Sequence, residues 1–63
     1  MSELMLVYNE NARVPFAVLD ADWASRDLRT GRTEFYKNRQ LVDVLALKPS
    51  QYIYVAPVNA PVF

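Results

Sequence analysis

The chain has no cysteine and no histidine among its 63 residues. That pair of absences removes disulfides, thiolates and imidazoles together, and with them the usual zinc, copper and haem ligands. It also excludes Ser/His/Asp and Cys/His nucleophilic arrangements. The single glycine, Gly31, rules out a glycine-rich phosphate loop. An all-oxygen site for Ca²⁺ or Mg²⁺ would need an acidic loop of suitable spacing, and none is written here. No metal, no cofactor and no catalytic residue is therefore expected, and the chain reads as a non-enzyme. An acid–base role for Asp20 and Asp22 is conceivable, but capping a helix explains both more economically. A chain this short also struggles to enclose a pocket of several hundred Å³, so no small-molecule substrate is expected.

No apolar run approaches the roughly 20 residues of a membrane span. The opening Met1-Ser2-Glu3-Leu4 lacks the basic start of a secretory signal. Absence of cysteine suits a reducing compartment, so the cytoplasm is the expected location. The last missing property is charge in the C-terminal stretch. After Lys48 there is none, and Pro49 to Phe63 reads Pro-Ser-Gln-Tyr-Ile-Tyr-Val-Ala-Pro-Val-Asn-Ala-Pro-Val-Phe. Terminal segments are usually polar and frayed, so this stretch is expected to be buried in the core or against a partner.

What is present argues for folding with little margin. An apolar fraction of 52% is too high for intrinsic disorder. A single domain of this size buries only about 60% of its unfolded surface. Small scaffolds make up the difference with disulfides, metals or partner subunits, and only the last route is open here. Net charge is zero but unevenly spread. Through Ser25, Glu3, Glu10, Asp20 and Asp22 face only Arg13. From Arg26 onward, Arg26, Arg29, Arg32, Lys37, Arg39 and Lys48 outnumber Asp27, Glu34 and Asp43. Such polarity can orient association or present a weak basic face.

Leu4 to Tyr8 and Val14 to Leu19 are apolar runs around the turn-forming Asn9-Glu10-Asn11-Ala12-Arg13, which predicts a β-hairpin. Pro15 puts the second strand at an edge. Asp20 is placed to cap a short helix over 21–29, with Trp23, Ala24 and Leu28 on its apolar side and Gly31 as its stop. Thr33 to Leu47 has two readings. In one, Glu34-Phe35-Tyr36-Lys37 turns through Asn38-Arg39 into a strand from Gln40 to Val44. In the other, preferred because Leu41, Leu45, Ala46 and Leu47 form helices well, Asn38 caps a helix. Lys48-Pro49 would stop it. Gln51 to Ala56 is the clearest strand, with Tyr52 and Tyr54 on one face and Ile53 and Val55 on the other. Pro57 and Pro61 are expected to end regular pairing.

Leu45-Ala46-Leu47-Lys48-Pro49-Ser50-Gln51-Tyr52-Ile53-Tyr54-Val55 resembles the helix, tight turn and strand of AbrB-type swapped-hairpin transcription factors. In that family a Leu-Gly-Leu-Lys-Pro-Gly-Asp-like segment leads into a strand; here Ala46 and Ser50 replace both glycines. The resemblance implies a helix-turn-strand unit more than it implies DNA binding.

The expected fold is α+β in the order ββααβ. A three-stranded antiparallel sheet would carry two short helices on one face, with the last strand beside the first. Leu4, Leu6, Ile53 and Val55 would then meet Phe16, Val18, Leu28, Leu41 and Leu45 in the core. The expected function is a small interaction protein, a regulator or inhibitor that occupies a surface on another protein, or a homodimer. Tyr52, Tyr54, Val62 and Phe63 are the candidate contact residues, since aromatics bury large area at low entropic cost. Arg29 and Arg32 would give charge complementarity at the rim. The alternative is a dimeric nucleic-acid-binding regulator using Arg26, Arg29, Arg32, Lys37 and Arg39 with Phe35 and Tyr36, by phosphate contact and base stacking. The neutral overall balance weighs against it.

Overall fold

The computed structural model describes residues 2–58, and the expected Val62 and Phe63 contacts lie outside them. It overturns the α+β expectation: the described residues form six strands and no helix. These are β1 (Ser2–Tyr8), β2 (Ala17–Leu19), β3 (Trp23–Arg26), β4 (Arg32–Lys37), β5 (Gln40–Ala46) and β6 (Tyr52–Val58). They make two antiparallel three-stranded sheets, sheet A in the order β2-β1-β6 and sheet B in the order β3-β4-β5. Within each sheet every pairing joins sequence neighbours except β1 with β6, which brings the two ends of the described chain together.

Both expected helices give way to cross-strand pairing. Over 21–29, Trp23, Ala24, Ser25 and Arg26 pair with Tyr36, Phe35, Glu34 and Thr33. Ala24 thereby packs against the core, a better use of its methyl than a short helix that is marginal by itself. The acids do not cap a helix. Asp20 pairs with Lys37 at 3.1 Å, and Asp22 Oδ2 accepts the Asn38 amide at 3.1 Å. Over 38–47, Asn38 (φ 52°) and Arg39 (φ 68°) both sit in left-handed backbone between the paired Lys37 and Gln40. Two such residues make the turn whose twist matches a β-hairpin. The strand reading of this segment is therefore the one the chain adopts, and a bulge near Val42 shifts its register.

The AbrB-like segment likewise holds no helix: Leu45 and Ala46 end β5, and Lys48 to Gln51 turns into β6. That turn is closed by Gln51 N–H donating to Lys48 O at 3.0 Å, and by Lys48 N–H donating to Gln51 Oε1 at 2.7 Å. Pro57 does not end pairing but lies within β6 opposite Glu3. As an edge strand, β6 tolerates a residue with no amide to donate.

Gly31 does not stop a helix; it carries the β3–β4 loop in left-handed backbone at φ 83°. Its carbonyl accepts from Leu47 N–H at 2.8 Å and from the buried Thr33 hydroxyl at 3.1 Å. A Cβ there would collide with the Leu47 carbonyl oxygen, so both dihedral and space demand glycine.

The core also differs from expectation. It consists of Met5, Val7, Ala21, Phe35 and Leu47, with Ala17, Leu19, Ala24, Leu45 and Ile53 packed against it. In β1 the inward residues are Met5 and Val7, so Leu4 and Leu6 point the other way. Strand parity forces this outcome, because successive side chains alternate faces. Phe16, Val18, Leu28, Leu41 and Val55 are exposed rather than buried. One polar clamp joins the sheets. The Arg26 guanidinium, at the end of β3, donates to Lys48 O at 2.8 Å and Gln51 O at 3.0 Å, while Gln51 Nε2 donates to Asn9 Oδ1 at 2.6 Å.

Candidate functional site

The register of sheet A generates an apolar outer face. Leu6 lies between Val18 and Tyr54, Tyr8 beside Tyr52, and Leu4 beside Ala56. Phe16 donates its amide to Val7 O at 2.8 Å, which continues the β1–β2 register one step and puts Phe16 opposite Tyr8. Two rows result, Phe16–Tyr8–Tyr52 and Val18–Leu6–Tyr54. Tyr8 and Tyr52 stack with ring centroids 5.2 Å apart and planes 8° from parallel. Tyr54 and Val18 are each 55% exposed, although both belong to a three-stranded sheet that could have buried them. Neither row contains a charged residue. Contiguous apolar surface of this kind marks association sites on otherwise polar proteins.

Of the expected contact residues, Tyr52 and Tyr54 therefore sit together on one face, two residues apart in β6. Arg29 and Arg32 do not join them. Arg29 lies in the β3–β4 loop, and Arg32 opens β4 with its side chain 3.4 Å from Glu34 on the outer face of sheet B. Leu4, Leu6, Tyr8, Phe16 and Val18 complete the surface and were not expected there. The period-two alternation Leu4, Leu6, Tyr8 carried the signal, but β1 is apolar on both sides and its parity could be read either way.

The basic residues are dispersed. Arg26 is spent on the clamp, Arg32 faces Glu34 and Lys37 faces Asp20. Arg29 and Arg39 occupy loops at opposite ends of β4. Phe35 is fully buried and offers no stacking surface. Among the described residues, no three His, Cys, Asp or Glu side chains converge as metal ligands, and no helix is long and apolar enough to cross a membrane.

The outer face of sheet B is mixed. Trp23, Tyr36 and Leu41 form one row across it, and Glu34, Ser25 and Val44 the next. Trp23 and Tyr36 touch with centroids 5.1 Å apart at 49°. The Tyr36 hydroxyl donates to Glu34 Oε1 at 3.0 Å. That bond to a carboxylate raises the Tyr36 pKa above its usual value, with partial burial and the Glu34 charge adding to the effect and Arg32 opposing it.

No protein-family model matches this chain, and no curated protein or solved structure matches it.

Proposed function

We propose that this chain is a non-enzymatic, cytoplasmic protein-interaction module, a regulator or inhibitor that docks through the outer face of sheet A. Free of its partner, it pairs with a second copy through the same face. The observation that carries this reading is the uncharged surface of Phe16, Tyr8, Tyr52, Val18, Leu6 and Tyr54 beside a core that, among the described residues, has five buried apolar side chains. A core that thin leaves association as the remaining source of apolar burial. The nucleic-acid alternative loses support because its cations are paired or scattered.

The test is light scattering across concentration at two ionic strengths, on the natural chain and on Tyr54→Glu. The natural chain should self-associate with rising concentration and little salt dependence, as apolar contacts do. Tyr54→Glu should be monomeric with near-natural thermal stability, because Tyr54 is half-exposed in the monomer. A natural chain that stays monomeric throughout, with a Tyr54→Glu variant of the same solubility and stability, would make this face ordinary surface and end the proposal.

A further inference from the structure

Beyond the sheet A surface, sheet B holds a second feature with different chemistry. Trp23, the only tryptophan, is 57% exposed at the start of β3. With Tyr36, Asp22 and Arg39 it lines an open cleft of about 370 Å³. Its lining thus combines two aromatic residues with one acid and one base.

The acid and the base are held in place and still have hydrogen-bonding capacity. Asp22 N–H donates to Tyr36 O at 2.8 Å, extending the β3–β4 pairing, and Asp22 Oδ2 accepts the Asn38 amide. The β4–β5 turn that carries Arg39 is thereby tied to the residue before Trp23. Among the described residues the Arg39 side chain makes no ion pair, and Asp22 Oδ1 accepts no hydrogen bond. Acid and base line the same cleft without pairing with each other.

We propose that this cleft binds a neutral carbohydrate. A sugar hydroxyl donates and accepts at one atom, so a single ring can satisfy both Asp22 and Arg39. Its C–H face supplies the apolar surface that an exposed indole lacks. Polyanions such as a nucleic-acid backbone meet the Asp22 carboxylate, and polycations meet Arg39. The row continues from Trp23 over Tyr36 to Leu41, which is 52% exposed. Three strands at about 4.8 Å spacing give a platform about 10 Å long, room for two sugar rings.

Because Trp23 is the sole tryptophan, its fluorescence and its indole N–H resonance report the site directly. The full chain is titrated with maltose, cellobiose, lactose and N,N′-diacetylchitobiose, each beside its monosaccharide. At least one disaccharide should give a saturable change with a Kd of about 1 mM, some tenfold tighter than its monosaccharide. Trp23→Ala should abolish the response in the amide spectrum, and Arg39→Asn, which suits the left-handed backbone, should weaken binding tenfold or more while the fold persists. No saturable change with any of these sugars overturns the proposal, as does binding that survives Trp23→Ala. A response to a decaproline peptide or an oligonucleotide, with none to sugar, also overturns it and reassigns the cleft.

Discussion

Sheet B is assembled from strands that follow one another, whereas sheet A joins the two ends of the described chain, pairing Ser2 with Val58. Their chemistry differs in parallel. The strands of sheet A carry one charged side chain, Glu3; those of sheet B carry Arg26, Arg32, Glu34, Lys37 and Asp43. Sheet B is specified locally, by tight loops and by charged residues on an outer face that it shares with Trp23, Tyr36 and Leu41. Sheet A is apolar on both faces, so its orientation depends on the core that it shares with sheet B. Because loop closure is costly before long-range contacts form, sheet B is expected to order first and sheet A to dock on it.

The largest disturbance should come from Gly31→Ala. It forces left-handed backbone on a residue with a Cβ and drives that atom into Leu47 O. A cost of about 3 kcal/mol or more would leave little of a small domain's stability, so the amide spectrum should lose its dispersion. Retention of the native spectrum would show that sheet B does not depend on this loop.

Phe35→Ala, in the centre of sheet B, should cost about 3–5 kcal/mol, and Val7→Ala, its counterpart in sheet A, about 2 kcal/mol. Stopped-flow kinetics then sharpen the order of events. If sheet B forms first, Phe35→Ala slows folding while Val7→Ala mainly speeds unfolding. The reverse pattern would put sheet A in the nucleus.

Arg39→Gly should stabilise by about 0.5–1 kcal/mol, because φ 68° burdens arginine and not glycine. The gain should appear as faster folding, seen in the same chevron plots. It also removes the Arg39 side chain from the cleft, so sugar binding should fall as stability rises.

The smallest effect concerns Tyr36. Its pKa is raised in the fold, so the neutral phenol is the form that folding favours. The Glu34 bond therefore contributes fully below the ordinary tyrosine value of about 10 and is lost as pH rises through the raised value. Thermal midpoints of the natural chain should decline more steeply above about pH 10 than those of Tyr36→Phe. Equal slopes would show that the bond does not form.

The legible parts of this chain were those with unambiguous local chemistry. Gln51 to Ala56 alternates aromatic and aliphatic residues, and the strand there runs from Tyr52 to Val58 with Ile53 packed on the core and the tyrosines exposed, although Val55 is exposed as well. The pairing of the last strand with the first also follows from the apolar character of both ends. The two helices were misread for a common reason. Asp20, Asp22 and Asn38 suit helix starts and β-turns alike, and the deciding partners, Lys37 and the 38–39 turn, are distant or paired across strands. Leu41, Leu45 and Ala46 favour helix intrinsically, but β4 offered them a ladder, and tertiary pairing outweighs a propensity difference of a few tenths of a kcal/mol per residue. The surface was half legible: Tyr52 and Tyr54 were placed from alternation, while Leu6 and Val18 depended on a parity that only the register decides.

The closing pair of strands has a consequence during synthesis. Ribosomes add about 5–20 residues per second, so β1 waits on the order of several seconds before β6 exists to cover its edge. Throughout that interval Leu4, Met5, Leu6 and Val7 are a nascent apolar strand with half its partners unmade. Sheet B has everything it needs by Leu47, before β6 begins. Sheet B is therefore encoded whole before β6, and among the described strands it is Tyr52 to Val58 that completes the pairing of β1.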